Sequence, residues 1–351
     1  MLPSNYTESR DRFIALADEI GAERQSFPHD EDATLSTDVA YLGASDATKL
    51  VLIASGTHGV EGYAGSACQF HLMRHYRQRY AADGTAFLLV HAVNPWGYFQ
   101  DRRVTQEGVD LNRNFVDFPV LLQTPSGYGR FHERLVSRYR PMPQGIRNEI
   151  RLLGGALTAS KRKAIQAAIT AGQYDHPGGL FFGGFAPTRS RIVWEGIVDT
   201  YARDRDTAFL LDIHTGLGEY GEGELISYLP ASSDDFRDLS EWFGGTLKSM
   251  ASGESVSAAV DGTLIAALDQ AVMGKCHAVG LEFGTRPPLA VLYAMRADQW
   301  YWNNAQRLSS RRREWARRKM KDAFAPSDAG WHDKLVARFD QVLWLLSSAL
   351  R

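Results

Sequence analysis

Four short, almost continuously apolar runs stand out along the chain. They cover Lys49–Ala54, Ala86–Val93, Ala208–Ile213 and Ala278–Phe283. Strands that are buried on both faces of a parallel or mixed sheet have this pattern, whereas half-exposed strands alternate between apolar and polar residues. The runs therefore predict four central strands of one sheet.

Helical patterning separates and flanks these runs. Residues 7–20 are amphipathic and are followed by Gly21, a common residue just after a helix. A second helical stretch runs from Gly62 to about Tyr80, and the chain is largely helical from Asp298 onward. Near its end, four apolar residues share one helical face: Leu335, Phe339, Val342 and Leu346. Helices between buried strands predict an α/β fold with three α/β/α layers and a mixed central sheet.

The length of 351 residues allows one large domain or two modest ones. Residues 119–191 interrupt the alternation of strands and helices: they look largely helical at first and then become rich in glycine. We interpret the chain as a single domain over residues 1–351. Within it, about 119–191 is predicted to form an inserted cap or lid.

The net charge and the hydropathy of the chain limit the kinds of partner that it is expected to bind. The net charge of −2 argues against a dedicated polyanion binder, so the basic run at residues 311–319 is predicted to be an exposed helix face. The N-terminal sequence lacks the basic start and apolar core of a signal peptide. No apolar run reaches the ~18 residues that cross a bilayer. We expect a cytoplasmic protein that binds neither nucleic acid nor membranes, and the oligomeric state stays open.

Candidate chemistry begins directly after the first apolar run. There, His58 and Glu61 lie three residues apart at a strand-to-helix junction. Open α/β sheets place their sites at the carboxyl ends of strands. An imidazole nitrogen and a carboxylate can supply two of the three protein ligands of a catalytic zinc ion. On its own the pair is weak evidence, because this spacing occurs by chance in many proteins.

Two further strand ends supply candidate residues. His214 follows the third run, and two histidines with one glutamate and an open fourth position make a hydrolytic zinc site. Taken alone, His214 is explained as well or better as a hydrogen-bonded core histidine. Glu282 lies inside the fourth run, where a buried carboxylate is costly without a role or a partner. It could accept a proton from an attacking water, or it could pair with Arg286.

Arginines lie between these segments, at Arg102, Arg103 and Arg113. Positive charge close to a metal is disfavoured unless carboxylates or an anionic substrate compensate it. An arginine beside an asparagine, as in Asn112-Arg113, can hold a substrate carboxylate through a forked pair of hydrogen bonds. A second arginine can stabilise the oxyanion that develops on an attacked carbonyl.

The order of these motifs resembles the zinc carboxypeptidase superfamily. Between residues 55 and 286 it reads His-x-x-Glu, Asn-Pro-x-Gly, Arg, Gly-Val-Asp-Leu-Asn-Arg-Asn-Phe, His and Glu. The run at residues 110–115 is the most specific part. Within the superfamily the chain most resembles a bacterial branch of carboxypeptidase-like proteins. The succinylglutamate desuccinylase and aspartoacylase deacylases share the same skeleton.

The resemblance implies one zinc ion and a set of roles for the candidate residues. The zinc ligands would be His58, Glu61 and His214. Glu282 matches the general base and acid. Arg103 matches the arginine that stabilises the oxyanion, with Arg102 as the alternative.

Three further positions carry roles that the resemblance implies. Asn112 and Arg113 match the pair that binds the terminal carboxylate of the substrate. Asp110 matches the carboxylate that orients a ligand imidazole, and we expect that imidazole to be His58.

The prediction is a zinc hydrolase with one catalytic domain, cleaving an amide bond next to a terminal carboxylate in the manner of a carboxypeptidase. The main alternative is a deacylase of small N-acyl amino acids. It is kept because Thr215-Gly216 is closer to the deacylases and because compact carboxypeptidases have no counterpart of residues 119–191. A protein that keeps the fold and binds without catalysis is a third hypothesis.

Overall fold

The computed structural model describes residues 2–30, 34–118, 127–137, 139–141, 168–256 and 260–351. Residues 119–126, 138 and 142–167 of the predicted cap lie outside these ranges, so the cap stays a prediction. Within the described ranges, no helix combines the length and the apolar character that a membrane span requires.

One eight-stranded mixed sheet forms the middle layer. In chain order its strands are β1 (Glu23–Pro28), β2 (Ser36–Leu42), β3 (Lys49–Ala54), β4 (Thr85–His91), β5 (Thr207–Tyr220), β6 (Gly223–Ser227), β7 (Leu247–Ser249) and β8 (Lys275–Gly284). Their order in space is β1-β2-β4-β3-β5-β8-β6-β7. The neighbours β4, β3, β5 and β8 run parallel, and β2 and β6 pair antiparallel to either side of them.

The four predicted strands are the four parallel strands at the centre. Each is apolar along its length because alternate residues face different helical layers. Leu50 and Leu52 pack on one face of the sheet, and Val51 and Ile53 pack on the other. The remaining four strands were not predicted. They lie at the sheet margins, where β1 is largely exposed and β7 has only three residues.

Helices cover both faces of the sheet. Those of the described ranges are α1 (Tyr6–Glu19), α2 (Gly62–His75), α3 (Pro95–Phe99), α4 (Gly129–His132), α5 (Arg189–Tyr201), α6 (Asp234–Trp242), α7 (Leu264–Ala271), α8 (Pro288–Asn303), α9 (Ser310–Phe324) and α10 (Ala329–Leu350). The core on one face includes residues of α1, α2, α6 and α10, and the core on the other face includes residues of α5 and α7. The predicted three-layer α/β/α fold with a mixed central sheet is confirmed.

Local signals explain where several helices begin and end. The first helix begins after Asn5, whose side chain accepts a hydrogen bond from the backbone N–H of Glu8 at 2.9 Å. It ends before Gly21, which has a φ of +71°, a conformation that glycine adopts without strain. The stretch predicted to be helical from Gly62 to about Tyr80 consists of α2 and a π-helical turn over Tyr76–Tyr80.

A third apolar cluster lies near the candidate site. It joins Val60 and Tyr63, at the start of α2, to residues of α3, α8 and α9, including Tyr98, Met295 and Phe324. This packing holds the turn after β3 against the C-terminal helices.

Candidate active site

The three strand ends that the sequence predicted to meet lie together at one edge of the sheet. Strands β3, β5 and β8 are parallel neighbours, so their carboxyl ends point the same way. After β3 the chain turns through Gly56, with a φ of +69°, into a 3₁₀ turn over Gly59–Glu61. On the other two strands, His214 and Glu282 are register partners.

All eight predicted site residues come together. Seven line one cavity with a volume of about 610 Å³, and they are His58, Glu61, Arg103, Asn112, Arg113, His214 and Glu282. The eighth, Asp110, is buried directly behind His58.

His58, Glu61 and His214 form the group that can hold a metal ion. One ligand atom from each lies within 4.8 Å of the others, and all three side chains are buried. Glu61 faces both imidazoles, with Oε1 lying 3.0 Å from His58 Nδ1 and Oε2 lying 2.9 Å from His214 Nδ1. The contact of Glu61 with His58 Nδ1 lacks hydrogen-bond geometry, so among the described residues this buried nitrogen makes no hydrogen bond. Two imidazole nitrogens and a carboxylate are a donor set that suits zinc, so the residues fit such an ion.

Each ligand histidine is held by an aspartate on its far side. Nε2 of His58 lies 3.2 Å from Asp110, and Nε2 of His214 lies 2.7 Å from Asp212. When Nε2 donates to a carboxylate, the tautomer is fixed and Nδ1 is available to a metal. Asp212 is a residue that the sequence reasoning missed. Its signal was the spacing of two residues before His214, which places both side chains on the same face of β5.

The electrostatics of this cluster favour a cation. Four carboxylates lie together, from Glu61, Asp110, Asp212 and Glu282, against the guanidinium groups of Arg103 and Arg113. Burial by itself lowers the pKa of His214, but the carboxylates of Asp212 and Glu61 outweigh it and raise this pKa well above its usual value. A divalent cation at Nδ1 would satisfy the same negative charge.

Asp110 contacts both arginines of the site and His58. Burial favours its neutral form, but Arg103, Arg113 and His58 keep the pKa of Asp110 well below its usual range. It also caps the 3₁₀ turn Leu111–Arg113 by accepting the backbone N–H of Asn112 at 3.1 Å. The Asp110 carboxylate thus holds both residues that are predicted to bind the substrate carboxylate, Asn112 through its backbone and Arg113 through its side chain.

Glu282 lies beside the metal-ligand group at the end of β8. Burial and the neighbouring charge of Glu61 raise its pKa to about 7. Its Oε1 accepts the backbone N–H of Leu217 at 2.9 Å, which fixes the orientation of the carboxylate. The alternative partner considered from sequence, Arg286, forms an ion pair with Asp322 at 2.6 Å instead. A carboxyl group with a pKa near neutrality can both accept and donate a proton.

Arg103 lies in the site and Arg102 is turned away from it. Arg103 pairs with Asp110, and its Nη2 lies 2.8 Å from His58 Nε2. Arg102 is buried elsewhere, where its Nε donates to Asp298 at 2.8 Å and its guanidinium lies over the ring of Trp302. The structure therefore offers Arg103, and not Arg102, to a substrate at the metal-ligand group.

Asn112 and Arg113 line the cavity, and hydrogen bonds to neighbouring groups of the protein hold both side chains in place. The side-chain oxygen of Asn112 accepts the backbone N–H of Leu264 at 3.0 Å, and its amide nitrogen lies 3.4 Å from His214 Nε2. Arg113 donates through Nη1 to Asp110 at 3.0 Å and through Nε to the carbonyl of Thr170 at 3.1 Å. Both side chains are positioned before any ligand arrives.

Phe181 is a second residue that the sequence reasoning missed. Its ring lies over both arginines, with guanidinium-to-centroid distances of 5.5 Å for Arg103 and 5.1 Å for Arg113. Its φ of +55° lies in the left-handed region that bulky residues rarely adopt. Strained backbone of this kind is concentrated at functional sites. Its position in a glycine-rich stretch gave no signal in the sequence.

The fold around this site is that of the zinc carboxypeptidases. Carboxypeptidase A from Helicoverpa armigera is similar over 97% of this chain and 74% of its own length, with a TM-score of 0.50 and 13% identity. Bovine thrombin-activatable fibrinolysis inhibitor, in complex with tick carboxypeptidase inhibitor, is similar over 96% of this chain and 97% of its own, with a TM-score of 0.48 and 11% identity. At 13% identity the likeness to the Helicoverpa armigera enzyme establishes the fold alone.

The chain belongs to the DUF2817 family, whose description is protein of unknown function, and the family model matches residues 3–338. No curated protein sequence matches the chain significantly. The carboxypeptidase-like fold agrees with the resemblance that the motifs suggested.

Proposed function

We propose that this protein is a zinc-dependent hydrolase that cleaves an amide bond next to a terminal carboxylate, as a carboxypeptidase does. The observation that supports this most is the convergence of His58, Glu61 and His214 beside Glu282. Three protein ligands and a neighbouring carboxyl group are the arrangement of a hydrolytic zinc site.

The chemistry divides between the ion and the side chains. Zinc bound by these ligands would lower the pKa of a water molecule and polarise the scissile carbonyl. Glu282 then accepts the proton of the attacking water and delivers it to the leaving nitrogen. Its raised pKa of about 7 suits both transfers near neutral pH.

The two arginines place positive charge at two parts of the substrate, which are the attacked carbonyl oxygen and the terminal carboxylate. Arg103 lines the cavity, with its Nε 3.8 Å from Glu61 Oε1, and there it can stabilise the negative charge that develops on the attacked carbonyl oxygen. Arg113 and the amide of Asn112 hold the terminal carboxylate and so fix which bond is cleaved. Because Asp110 and Thr170 already orient Arg113, little side-chain freedom is lost on binding.

The shape of the cavity favours a peptide over a single small acyl amino acid. Its volume of about 610 Å³ falls within the range of sites that enclose ligands of drug-like size. Leu289, one of its lining residues, is 60% exposed, so the cavity opens to solvent along the start of α8. A peptide chain can therefore leave the site on this side.

The test compares wild type with Glu282→Gln after loading with zinc. Both proteins are expected to bind one zinc ion per chain, because Glu282 is not a ligand. The variant should lose about 10²–10⁴-fold in kcat on N-acylated dipeptides, since it cannot accept the proton of the attacking water. Metal content by mass spectrometry and release of amino acids are the measurements.

Glu219→Gln, which makes the same chemical change at an exposed position of β5, is the matched control and should keep wild-type activity. If wild type binds zinc but hydrolyses neither dipeptides nor small N-acyl amino acids, the hydrolase proposal is wrong and a binding protein is favoured. If only the small N-acyl amino acids are hydrolysed, the carboxypeptidase assignment gives way to the deacylase.

A further inference from the structure

Three consecutive residues, Asp101, Arg102 and Arg103, extend their side chains towards three different parts of the molecule. Asp101 contacts α2 and α9, Arg102 contacts α8, and Arg103 lines the cavity of the candidate active site. Asp101 and Arg102 are buried although both are charged. Charged side chains are seldom buried unless they are paired, so the partners of these two indicate what holds the segment in place.

Arg102 is tied to α8 through its guanidinium group. Its Nε donates to Asp298 at 2.8 Å and its Nη2 donates to Gln299 at 3.2 Å. Its Cζ also lies 4.5 Å from the ring centroid of Trp302, a cation–π contact. Burial lowers the pKa of Arg102 and raises the pKa of Asp298, so desolvation opposes the charged pair more strongly than its partners favour it. These contacts therefore fix the position of Arg102 more than they stabilise the fold.

Asp101 joins the same segment to α2 and α9. Its Oδ1 accepts the hydroxyl of Tyr63 at 2.5 Å, and its Oδ2 accepts Nε of Arg317 at 2.9 Å. Its φ of +54° lies in the left-handed region, which residues other than glycine seldom adopt. Such a conformation persists where the surrounding contacts hold it. The chain that leads into Arg103 is thus fixed by side-chain contacts and by an unusual backbone turn.

The backbone connects these anchoring contacts to the site. The N–H of Arg102 donates to the carbonyl of Gly97 at 2.7 Å, and the carbonyls of Arg102 and Arg103 accept the N–H groups of Val60 and Gly59. The guanidinium of Arg103 lies at the far end of a long side chain, so a small rotation of this backbone would displace it from the metal-ligand group. A displacement of about 1 Å at a catalytic group can cost about 10²-fold in rate.

We propose that Asp101 and Arg102 are positioning residues for Arg103, and that their ion pairs with Arg317 and Asp298 place its guanidinium where the oxyanion develops. This inference rests on the proposed hydrolase function. Neither residue touches the substrate, because each acts through the backbone that leads to Arg103. The site thus depends on α8 and α9, although the three proposed metal ligands lie elsewhere in the chain.

The first test measures kcat and KM for N-acylated dipeptides with the zinc-loaded variants Arg102→Met and Asp298→Asn and their combination. Each should lower kcat about 10–100-fold, while KM and zinc affinity change by less than about threefold, because the substrate carboxylate and the metal have other ligands. The combined variant should be no worse than either single variant, because both changes remove the same contact. It leaves no unpaired buried charge, so it keeps the test valid if a single variant fails to fold.

The conservative variant Arg102→Lys keeps a positive charge beside Asp298 and should regain at least about threefold of the kcat that Arg102→Met loses. Arg203→Met and Asp199→Asn make the same chemical changes in an exposed ion pair at the end of α5, and they should leave kcat and KM unchanged. If the Arg102 and Asp298 variants lower only the unfolding temperature, the pair is merely structural and the proposal is wrong. Parallel losses in kcat, KM and zinc affinity would also overturn it, because they indicate a general loosening of the site.

The second test changes the other anchor. Asp101→Asn removes the charge that faces Arg317 but keeps the backbone conformation, because asparagine also tolerates a positive φ. It should lower kcat about tenfold with KM unchanged, and Arg317→Met should do the same. Wild-type kcat in both variants would show that Asp101 does not position Arg103.

The position of Arg103 is also measured without any substrate. Its side-chain Nε–H signal in ¹⁵N NMR spectra, identified by its loss in Arg103→Lys, should differ from those of exposed arginines because it pairs with Asp110 and faces the ring of Phe181. In Arg102→Met and Asp298→Asn this signal should move towards those of exposed arginines, and an unchanged signal would overturn the inference. If wild type cleaves no substrate but the signal moves, the hydrolase proposal fails while the positioning of Arg103 stands.

Discussion

At the scale of single residues, two buried carboxylates contact the histidines of the candidate metal site. Asp110 and Asp212 each lie against Nε2 of one ligand histidine. They are not equivalent. Asp110 also pairs with Arg103 and Arg113, whereas Asp212 accepts the hydroxyl of Thr57 at 2.8 Å. A change at Asp212 therefore tests the support of a ligand without disturbing the arginines.

We expect Asp212→Asn to weaken zinc binding by about 10–100-fold, because a neutral amide no longer raises the basicity of the His214 imidazole. Competition with a fluorescent zinc chelator measures the affinity. The exposed Asp204→Asn, four residues before the buried part of β5 that carries His214, is the control and should bind zinc as wild type does. Wild-type affinity in Asp212→Asn would show that this carboxylate does not support the ligand.

At the scale of elements, the turn over Gly59–Glu61 is fixed by the segment that contains the arginines. The backbone N–H of Val60 donates to the carbonyl of Arg102 at 2.8 Å, and the N–H of Gly59 donates to that of Arg103 at 3.3 Å. The same turn packs on α3 so closely that a Cβ atom on Gly59 would lie 2.1 Å from the carbonyl carbon of Gly97. This contact sets His58 beside Arg103.

Gly59→Ala should therefore destabilise the protein by at least about 2 kcal/mol, because backbone atoms of α3 would have to move. Gly196→Ala should stabilise it by about 0.5–1 kcal/mol, because glycine in an open helix position is less favourable than alanine. Urea unfolding followed by circular dichroism gives both values. A neutral Gly59→Ala would mean that α3 does not constrain the turn.

A polar cluster also joins α10 to α2 and its π-helical turn. Asp340 accepts hydrogen bonds from Tyr80, from His71 Nε2 at 2.8 Å and from Arg79 at 2.7 Å. Burial opposes ionisation, but these partners outweigh it and lower the pKa of Asp340. A carboxyl group with a lowered pKa in the folded state stabilises the fold above its unfolded pKa, and this contribution is lost as the pH falls.

Asp340→Asn should cost about 1–2 kcal/mol at pH 7, where the carboxylate accepts hydrogen bonds from three side chains. The difference from wild type should shrink as the pH falls below ~4, the ordinary aspartate range, and vanish once Asp340 is protonated in both states. Unfolding midpoints between pH 3 and pH 7 check this. Asp333→Asn, an exposed change on the same helix, should show no such pH-dependent difference.

At the scale of the whole molecule, the residues proposed to bind zinc come from distant parts of the chain. Glu61 and His214 are separated by 153 residues but are adjacent because β3 and β5 are neighbouring parallel strands. An ion held by His58, Glu61 and His214 therefore links segments that only the folded sheet brings together. Its binding energy adds to the stability of the folded state.

Zinc at a free concentration of about 100 times its dissociation constant should stabilise the protein by about 2.7 kcal/mol. For a chain of 351 residues this corresponds to a rise in Tm of about 3–4 °C. His214→Ala should show no comparable rise, because one ligand is missing. Differential scanning calorimetry with and without zinc makes the comparison, and an equal shift in both proteins would place the ion elsewhere.

The sequence by itself determined the central strands and the membership of the site. Apolar runs such as Lys49–Ala54 are recognisable because burial on both faces removes polar residues locally. Parallel strands share one carboxyl edge, so residues at three strand ends could be placed together before any coordinates. Strands β1 and β7 gave no such signal, because the first is largely exposed and the second has three residues. Strand β2 is buried, but Ser36, Thr37 and Asp38 leave it without a continuous apolar run.

The tertiary structure decided which neighbour each side chain has. Arg102 and Arg103 are adjacent in the chain, and only the pairing of Arg102 with Asp298, 196 residues away, shows which of them faces the site. The contacts of Phe181 with Arg103 and Arg113 were hidden for the same reason. The pattern of apolar residues indicates whether a residue is buried. The groups that such a residue contacts often belong to segments far away along the chain, and only the tertiary structure shows them.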